Sequence, residues 1–81
     1  MNLKLIGIDS RNGIKILKNI KKVEKELDYN LNIDMIPTKD KNKYNIKVVP
    51  TLLLNGIVIS EGSVIGDREL RNFIKPLIEN V

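Results

Sequence analysis

The sequence predicts a single α/β domain, spanning residues 1–81, built on a four-stranded mixed sheet. An apolar segment runs into a polar turn and an amphipathic helix, and a second apolar segment follows. This order is typical of a right-handed β-α-β unit with parallel strands. Further along, Asn55-Gly56 separates two aliphatic runs, which is the strongest short-range signal of a β-hairpin and adds antiparallel strands. A final amphipathic segment completes the order β-α-β-(α)-β-β-α.

The first strand is predicted over Leu3–Ile8, because an almost continuous apolar run is typical of a strand covered on both faces. The helix that follows is predicted over about residues 10–28, since apolar residues recur at steps of three and four. Lysines occupy its other side, which we expect to face solvent. We expect Asp9 or Ser10 to cap the helix and Asn30 to end it in a left-handed conformation. The predicted core stripe comprises Ile14, Ile16, Leu17, Ile20, Val23 and Leu27.

The second strand is predicted over Leu31–Ile36 and ends before Pro37. Polar residues alternate with apolar ones here, so one face is drier than the other and an edge position in the sheet is favoured. For the segment that follows, we expect a short helix capped by Thr38, with Tyr44 and Ile46 pointing inward. The apolar positions of the drier face are Leu31, Ile33 and Met35.

The third and fourth strands are predicted over Val48–Leu54 and Ile57–Ser60, as the two arms of the hairpin. The last helix is predicted over Asp67–Glu79, with Asp67 as its N-cap. Pro76 removes a backbone hydrogen bond inside that helix, so the sequence predicts either a kink or an early end. The apolar stripe of this helix comprises Leu70, Phe73, Ile74, Leu77, Ile78 and Val81.

The composition removes several classes of chemistry. The chain contains no cysteine, so it has no thiolate nucleophile, no disulfide and no cysteine metal ligand. It contains no histidine either, which removes the commonest general base and the commonest transition-metal ligand. We therefore expect no cofactor and no metal, and the composition disfavours an enzyme without excluding one.

The basic charge has two interpretations. A net charge of +4 and a pI of about 9.5 suit an acidic partner, but the abundance of lysine, asparagine and isoleucine is also what an AT-rich genome produces. Aromatic residues make up 4% of the chain, so base stacking is disfavoured and we expect no nucleic-acid partner. No run reaches the roughly 18 apolar residues of a membrane span. No secretory signal is visible, so we expect a cytoplasmic protein without membrane contact.

Four features taken together resemble the thioredoxin-fold superfamily. They are the strand–turn–helix over residues 3–20, the run "YNIKVVPTL" over residues 44–52, the Asn-Gly hairpin and the final helix. Within the superfamily the chain resembles the small glutaredoxin-like and thioredoxin-like proteins of bacteria and archaea. The resemblance implies the strand order 2-1-3-4, helices on both faces of the sheet, and a cis peptide bond between Val49 and Pro50. In that family the proline loop faces the start of the first helix, and the residue before the proline offers backbone groups to an extended peptide or to glutathione.

The chain departs from this family at the turn. The two cysteines of the family's CxxC motif match Ser10 and Gly13. Thiol–disulfide exchange needs a thiolate and a second thiol that resolves the mixed disulfide, and neither is present. The family's shape therefore carries over, whereas its reaction does not.

The sequence leads to the hypothesis of a redox-inactive thioredoxin-like domain that binds a protein or peptide in a groove. The groove lies between the turn Ser10, Arg11, Asn12, Gly13 and the loop Val49, Pro50, Thr51. The alternative is a member of a thiol–disulfide oxidoreductase family with a redox-associated or glutathione-binding role. A regulatory homo-oligomer is a third interpretation.

Several residues of the site have a plainer interpretation beside the functional one. The turn at residues 10–13 is either an anion site at a helix start or an exposed turn, and Ser10 is favoured as a cap because no histidine is available to activate it. Asp67 is favoured as a cap over a contact to glutathione. A solvated loop is favoured for the lysines at positions 39, 41, 43 and 47.

Overall fold

The computed structural model describes residues 1–79 of the chain. The sheet has the order β2-β1-β3-β4, with β1 parallel to β2 and antiparallel to β3, and with β3 antiparallel to β4. The predicted fold class, strand order and edge position of β2 are therefore confirmed. In chain order the elements are β1 (Leu3–Ile6), α1 (Arg11–Leu27), β2 (Ile33–Ile36), a 3₁₀ helix (Thr38–Tyr44), β3 (Thr51–Leu54), β4 (Ile57–Glu61) and α2 (Asp67–Glu79).

The core lies on one face of the sheet, beneath α1 and α2, which pack against each other. Side chains alternate along β1, so Leu3 and Leu5 enter this core and Lys4 points to the opposite face. There the Lys4 ammonium lies 5.0 Å from the ring centroid of Tyr44 in the 3₁₀ helix. Helical elements therefore cover both faces. The fully buried apolar side chains of this core cluster are Leu3, Leu5, Ile16, Ile20, Val23, Leu52, Leu70 and Ile74, and Ile6 is fully buried outside the cluster.

Three strands are shorter than the sequence predicts. β1 ends at Ile6, because Gly7 leaves the extended conformation with a φ of 91°. β3 begins at Thr51, because the three residues before it form a bend that contains the cis peptide bond between Val49 and Pro50. β2 begins at Ile33, and the preceding Leu31 is buried while its N–H donates to the Glu24 carboxylate at 2.7 Å.

The hairpin between β3 and β4 forms as predicted. Asn55 and Gly56 both have positive φ, 52° and 81°, as a type I′ turn requires. Leu52 pairs with Ser60 and Leu53 pairs with Val58, which leaves Ile59 as an extra residue in β4. Such a bulge increases the local twist of an edge strand.

The helix ends differ from the prediction in two places, at the end of α1 and at the start of α2. α1 ends at Leu27, and its C-cap is Asp28, which is left-handed (φ 49°) and donates its N–H to the carbonyls of Glu24 and Lys25. Asn30 is therefore not the terminating residue. α2 begins at Asp67 itself, and the carbonyl of the preceding Gly66 accepts the first helical hydrogen bond, from Leu70. Asp67 is thus the first helical residue and not the N-cap.

Side-chain exposure corrects three further expectations. Ile14 is 46% exposed on α1, and Met35 is 53% exposed, because its edge strand has no helix above that position. Tyr44 is 39% exposed and does not point into the core.

The start of the 3₁₀ helix also differs from the prediction. Pro37 occupies the N-cap position, so Thr38 is the first helical residue and not the cap.

α2 continues through Pro76 to Glu79, so the helix does not end early. Val81, the last residue of the predicted apolar stripe, lies outside the described residues. No helix within residues 1–79 combines the length and the apolar character needed to span a bilayer.

Candidate functional site

The turn before α1 is held by the hydroxyl of Ser10. Ser10 is extended (φ −77°, ψ 154°), and its Oγ accepts the N–H of Gly13 at 3.0 Å, which makes it the N-cap of α1. The same Oγ donates to the carbonyl of Gly7 at 2.6 Å, and the Ser10 N–H reaches that carbonyl at 3.0 Å. The hydroxyl is therefore committed both as donor and as acceptor, which is the geometry of a structural cap and not of an activated nucleophile.

Gly13, at the position of the family's second cysteine, is buried and tightly enclosed. A Cβ added there would lie 2.9 Å from the Ser10 Oγ and 3.0 Å from the Gly7 carbonyl carbon, and it would overlap the Gly7 carbonyl oxygen. The turn therefore has no room for any side chain at residue 13 unless the backbone moves. The position that matches the family's second cysteine is therefore closed to a side chain.

Gly7 joins the two halves of the site. It is buried with a φ of 91°, and a Cβ added to it would lie 2.6 Å from the Val49 Cβ and 3.0 Å from its Cγ1. Only glycine lets the end of β1 approach the proline loop this closely. The structure thus brings residues 10–13 and residues 49–51 to the same end of the sheet, one on either side of Gly7.

The proline loop is anchored on both sides of its cis bond. Thr51 is buried and donates its hydroxyl to the Val48 carbonyl at 2.6 Å, and the Pro50 carbonyl accepts the N–H of Gly62 at 2.8 Å. Within residues 1–79, neither the N–H nor the carbonyl of Val49 forms a hydrogen bond. Val49, which is half-buried, therefore has one unpaired donor and one unpaired acceptor on an anchored piece of backbone, next to Gly7.

Asp9 is a residue of the site whose role sequence analysis missed. Its Oδ1 accepts both the N–H and the hydroxyl of Thr38, each at 2.8 Å, which ties the turn to the start of the 3₁₀ helix. These hydrogen bonds hold the pKa of the Asp9 carboxyl below its usual value. The two residues are 29 positions apart, so no local pattern in the sequence indicates the contact.

Exposed side chains border the site on both sides. Arg11 is exposed at the first helical position, and Asn12 beside it is half-buried. Two exposed aliphatic residues, which we call the apolar rim, flank the turn and the loop. Ile14 follows Gly13 in the chain and is 46% exposed, and Val48 precedes Val49 and is 42% exposed. No group of three potential metal ligands occurs in the described part of the chain. The site therefore offers backbone pairing groups, a cation and apolar contacts.

The fold together with this turn and proline loop defines a thioredoxin-fold protein. A family model described as "Thioredoxin domain" matches residues 1–75, and the chain belongs to that family. Among solved structures it is similar to one described as thioredoxin-2, "a component of malaria parasite protein secretion machinery", with a TM-score of 0.66 and 14% identity. The match covers 93% of this chain and 81% of the other; at this identity it shows the fold alone. A comparison with curated proteins found no match.

Proposed function

We propose that this chain is a thioredoxin-like domain that binds an extended protein segment and does not exchange disulfides. The observation that carries the proposal is the pair of free backbone groups on Val49, held beside a turn that is closed over Gly13. The backbone groups that could pair with a peptide are kept at Val49, whereas the position of the family's second cysteine is closed at Gly13. This combination supports binding of a segment without a redox reaction.

The composition of the chain supports the proposed lack of redox activity. Thiol–disulfide exchange forms a mixed disulfide through one sulfur and releases it through a second, and this chain supplies no sulfur from cysteine. The Ser10 hydroxyl is not a substitute, because it cannot form a disulfide and is already hydrogen-bonded twice. The isolated chain should not accelerate the reduction of insulin by a dithiol, and a measurable acceleration would contradict the proposal.

The binding mode we propose is the addition of a short strand. An extended segment pairs with the N–H and the carbonyl of Val49, which supplies affinity independent of side chains. An apolar side chain of that segment packs on the rim formed by Ile14 and Val48. The fixed conformation of the loop, anchored through Thr51 and Gly62, lowers the ordering cost of binding.

A displayed library of random peptides, selected on the immobilised chain, tests the proposal. The double variant Ile14→Gln/Val48→Gln should weaken a selected peptide about tenfold, because two exposed apolar contacts are lost. Val58→Gln is the matched control, since Val58 is 45% exposed on β4 near the hairpin, at the far end of the sheet. An equal loss in both proteins, or no loss in either, would show that the groove is not the binding site.

Glutathione is the second candidate ligand, because it is itself an extended anionic peptide. Within residues 1–79, the N–H groups of Arg11 and Asn12 have no hydrogen-bond partner, and the Arg11 guanidinium is exposed beside them. Titration of the ¹⁵N-labelled chain with glutathione should shift the amide signals of residues 10–13, Val49 and Thr51. Unchanged signals at those positions up to millimolar glutathione would remove this candidate.

A further inference from the structure

We infer that the protein segment bound in the groove is acidic, and that the exposed face of α1 forms the second half of its docking surface. This inference rests on the proposed function, since it extends the same groove. The surface is a row of cations that we call the basic stripe: Arg11, Lys15, Lys18, Lys22 and Lys25.

The basic stripe is continuous along α1. Its members are spaced by four, three, four and three residues, so on a helix of 3.6 residues per turn they share one narrow sector. All five are exposed, and the buried side chains Ile16, Ile20 and Val23 lie on the opposite side of the helix. From the first to the last member, the stripe is about 21 Å long at 1.5 Å per residue.

The charge of the stripe is mostly uncompensated. Within residues 1–79, Lys22 alone among its members forms an ion pair, with Asp67 at 3.0 Å. The two acidic residues of α1 are engaged elsewhere. Glu24 pairs with Lys21 at 3.5 Å and accepts the N–H of Leu31, and Glu26 pairs with Arg71 of α2. Four neighbouring cations therefore face solvent without a carboxylate.

The charge pattern of the basic stripe lowers the stability of α1. Like charges three or four residues apart destabilise a helix, and every successive pair of the stripe has that spacing. The positive end of the helix dipole favours acidic residues in the first turn, where α1 has none and instead begins with Arg11. An acidic partner would relieve both effects, whereas a merely solvated face would be served better by mixed charges.

The stripe and the groove meet at Arg11, which belongs to both. An extended chain rises about 3.3 Å per residue, so about six residues cover the length of the stripe. A segment that pairs with Val49 can therefore carry acidic side chains to the neighbouring lysines. We favour a polypeptide over a nucleic acid, because the site offers strand-pairing groups and an apolar rim and the stripe contains no aromatic side chain for base stacking.

The test uses the tightest peptide selected from the displayed library and a copy of it in which each Asp and Glu is replaced by Asn or Gln. Both are measured in 50 mM and 300 mM salt against two triple variants of equal net charge. The stripe variant is Lys15→Gln/Lys18→Gln/Lys25→Gln, and the control is Lys39→Gln/Lys43→Gln/Lys75→Gln, whose lysines lie on the 3₁₀ helix and α2.

We expect the selected peptides to be rich in Asp and Glu, and the stripe variant to bind the acidic peptide about tenfold more weakly at low salt than the control does. The stripe variant should bind the acidic and the amide peptides alike. If selected peptides bind at the groove but carry no acidic excess, or if both triple variants lose affinity equally, the inference is wrong and the proposed function stands.

Two further outcomes bear on the proposed groove binding and on the polypeptide nature of the partner. If no peptide is selected, or if bound peptides ignore Ile14→Gln/Val48→Gln, the proposed function fails and the inference fails with it. A single-stranded oligonucleotide of the same charge as the peptide, measured at the same salt concentration, should bind more weakly than the peptide. Tighter binding of the oligonucleotide would overturn the assignment of a polypeptide partner.

Discussion

Replacement of Gly13 by alanine tests the closed turn directly. Alanine normally stabilises a helix relative to glycine, by roughly 1 kcal/mol at an interior position. Here the structure predicts the opposite sign. The added Cβ meets the Ser10 Oγ at 2.9 Å and the Gly7 carbonyl, whereas ordinary contacts of a Cβ begin at 3.4 Å. The backbone must therefore shift, because the carbonyl group cannot rotate away as a flexible side chain would.

The magnitude follows from what that shift disturbs. Forcing a methyl group into a filled site costs about 1–3 kcal/mol. The shift also disturbs the Ser10 cap, which stabilises the helix by about 1 kcal/mol. Loss of the cap would roughly cancel the stability that alanine gains from its higher helix propensity. We expect a net loss of about 1–3 kcal/mol in the free energy of unfolding. For a domain of this length that is a fall in Tm of about 5–20 °C.

Urea and thermal unfolding followed by circular dichroism measure this loss. Gly66→Ala is the control, because a Cβ at Gly66 meets nothing within 4 Å, and it should change the stability by no more than about 1 kcal/mol. A Gly13→Ala protein as stable as the wild type, or more stable, would refute the reasoning. It would mean that the turn has room for a side chain and that a second cysteine could be restored there at no cost.

Three further substitutions probe the neighbours of that turn. Gly7→Ala should destabilise by about 2–4 kcal/mol in urea unfolding, since it combines a left-handed backbone with a clash at Val49. Ser10→Ala should cost about 1 kcal/mol by the same assay, through loss of the cap. Thr38→Val should raise the Asp9 pKa toward its usual value in a carboxyl NMR titration, since a donor is lost. The pKa of Asp9 is lower in the folded state than in the unfolded state. The Asp9 carboxylate therefore stabilises the fold above the unfolded-state pKa, and this stabilisation is lost as the pH falls through the folded-state pKa. Thr38→Val should make the stability of the protein depend less on pH in this acid range.

The fold was predictable because its strongest signals are local. The Asn55-Gly56 turn, the 3–4 spacing of apolar residues in both helices and the run around Pro50 each specify an element from a few adjacent residues. The errors in the fold have two causes. Met35 keeps the alternation of its strand, yet it is exposed at the edge of the sheet, so the alternation alone did not give its burial. Asp28 caps α1 two residues before the expected Asn30, because Asp and Asn both tolerate the left-handed conformation and the local sequence does not choose between them.

The position of residues 10–13 and 49–51 at one end of the sheet was predictable from the resemblance, whereas most of the contacts around them were not. Ser10 has a local capping pattern, so its role followed from the sequence. The role of Gly13 did not, because its constraint comes from the carbonyl of Gly7 and not from its own backbone angles. The bond between Asp9 and Thr38 joins residues far apart in the chain. Contacts of this kind depend on the complete fold and leave no periodic pattern in the sequence.

The central claim is that a polypeptide binds in the groove between residues 10–13 and residues 49–51, beside Gly7. The most direct measurement is a map of amide chemical shifts in the ¹⁵N-labelled chain, bound to a peptide selected from the library. We expect the largest changes at residues 10–13 and at Val48, Val49 and Thr51, with a new hydrogen bond at the Val49 N–H. Largest changes at the exposed apolar face between β4 and α2, formed by Ile57, Phe73 and Leu77, would contradict this claim.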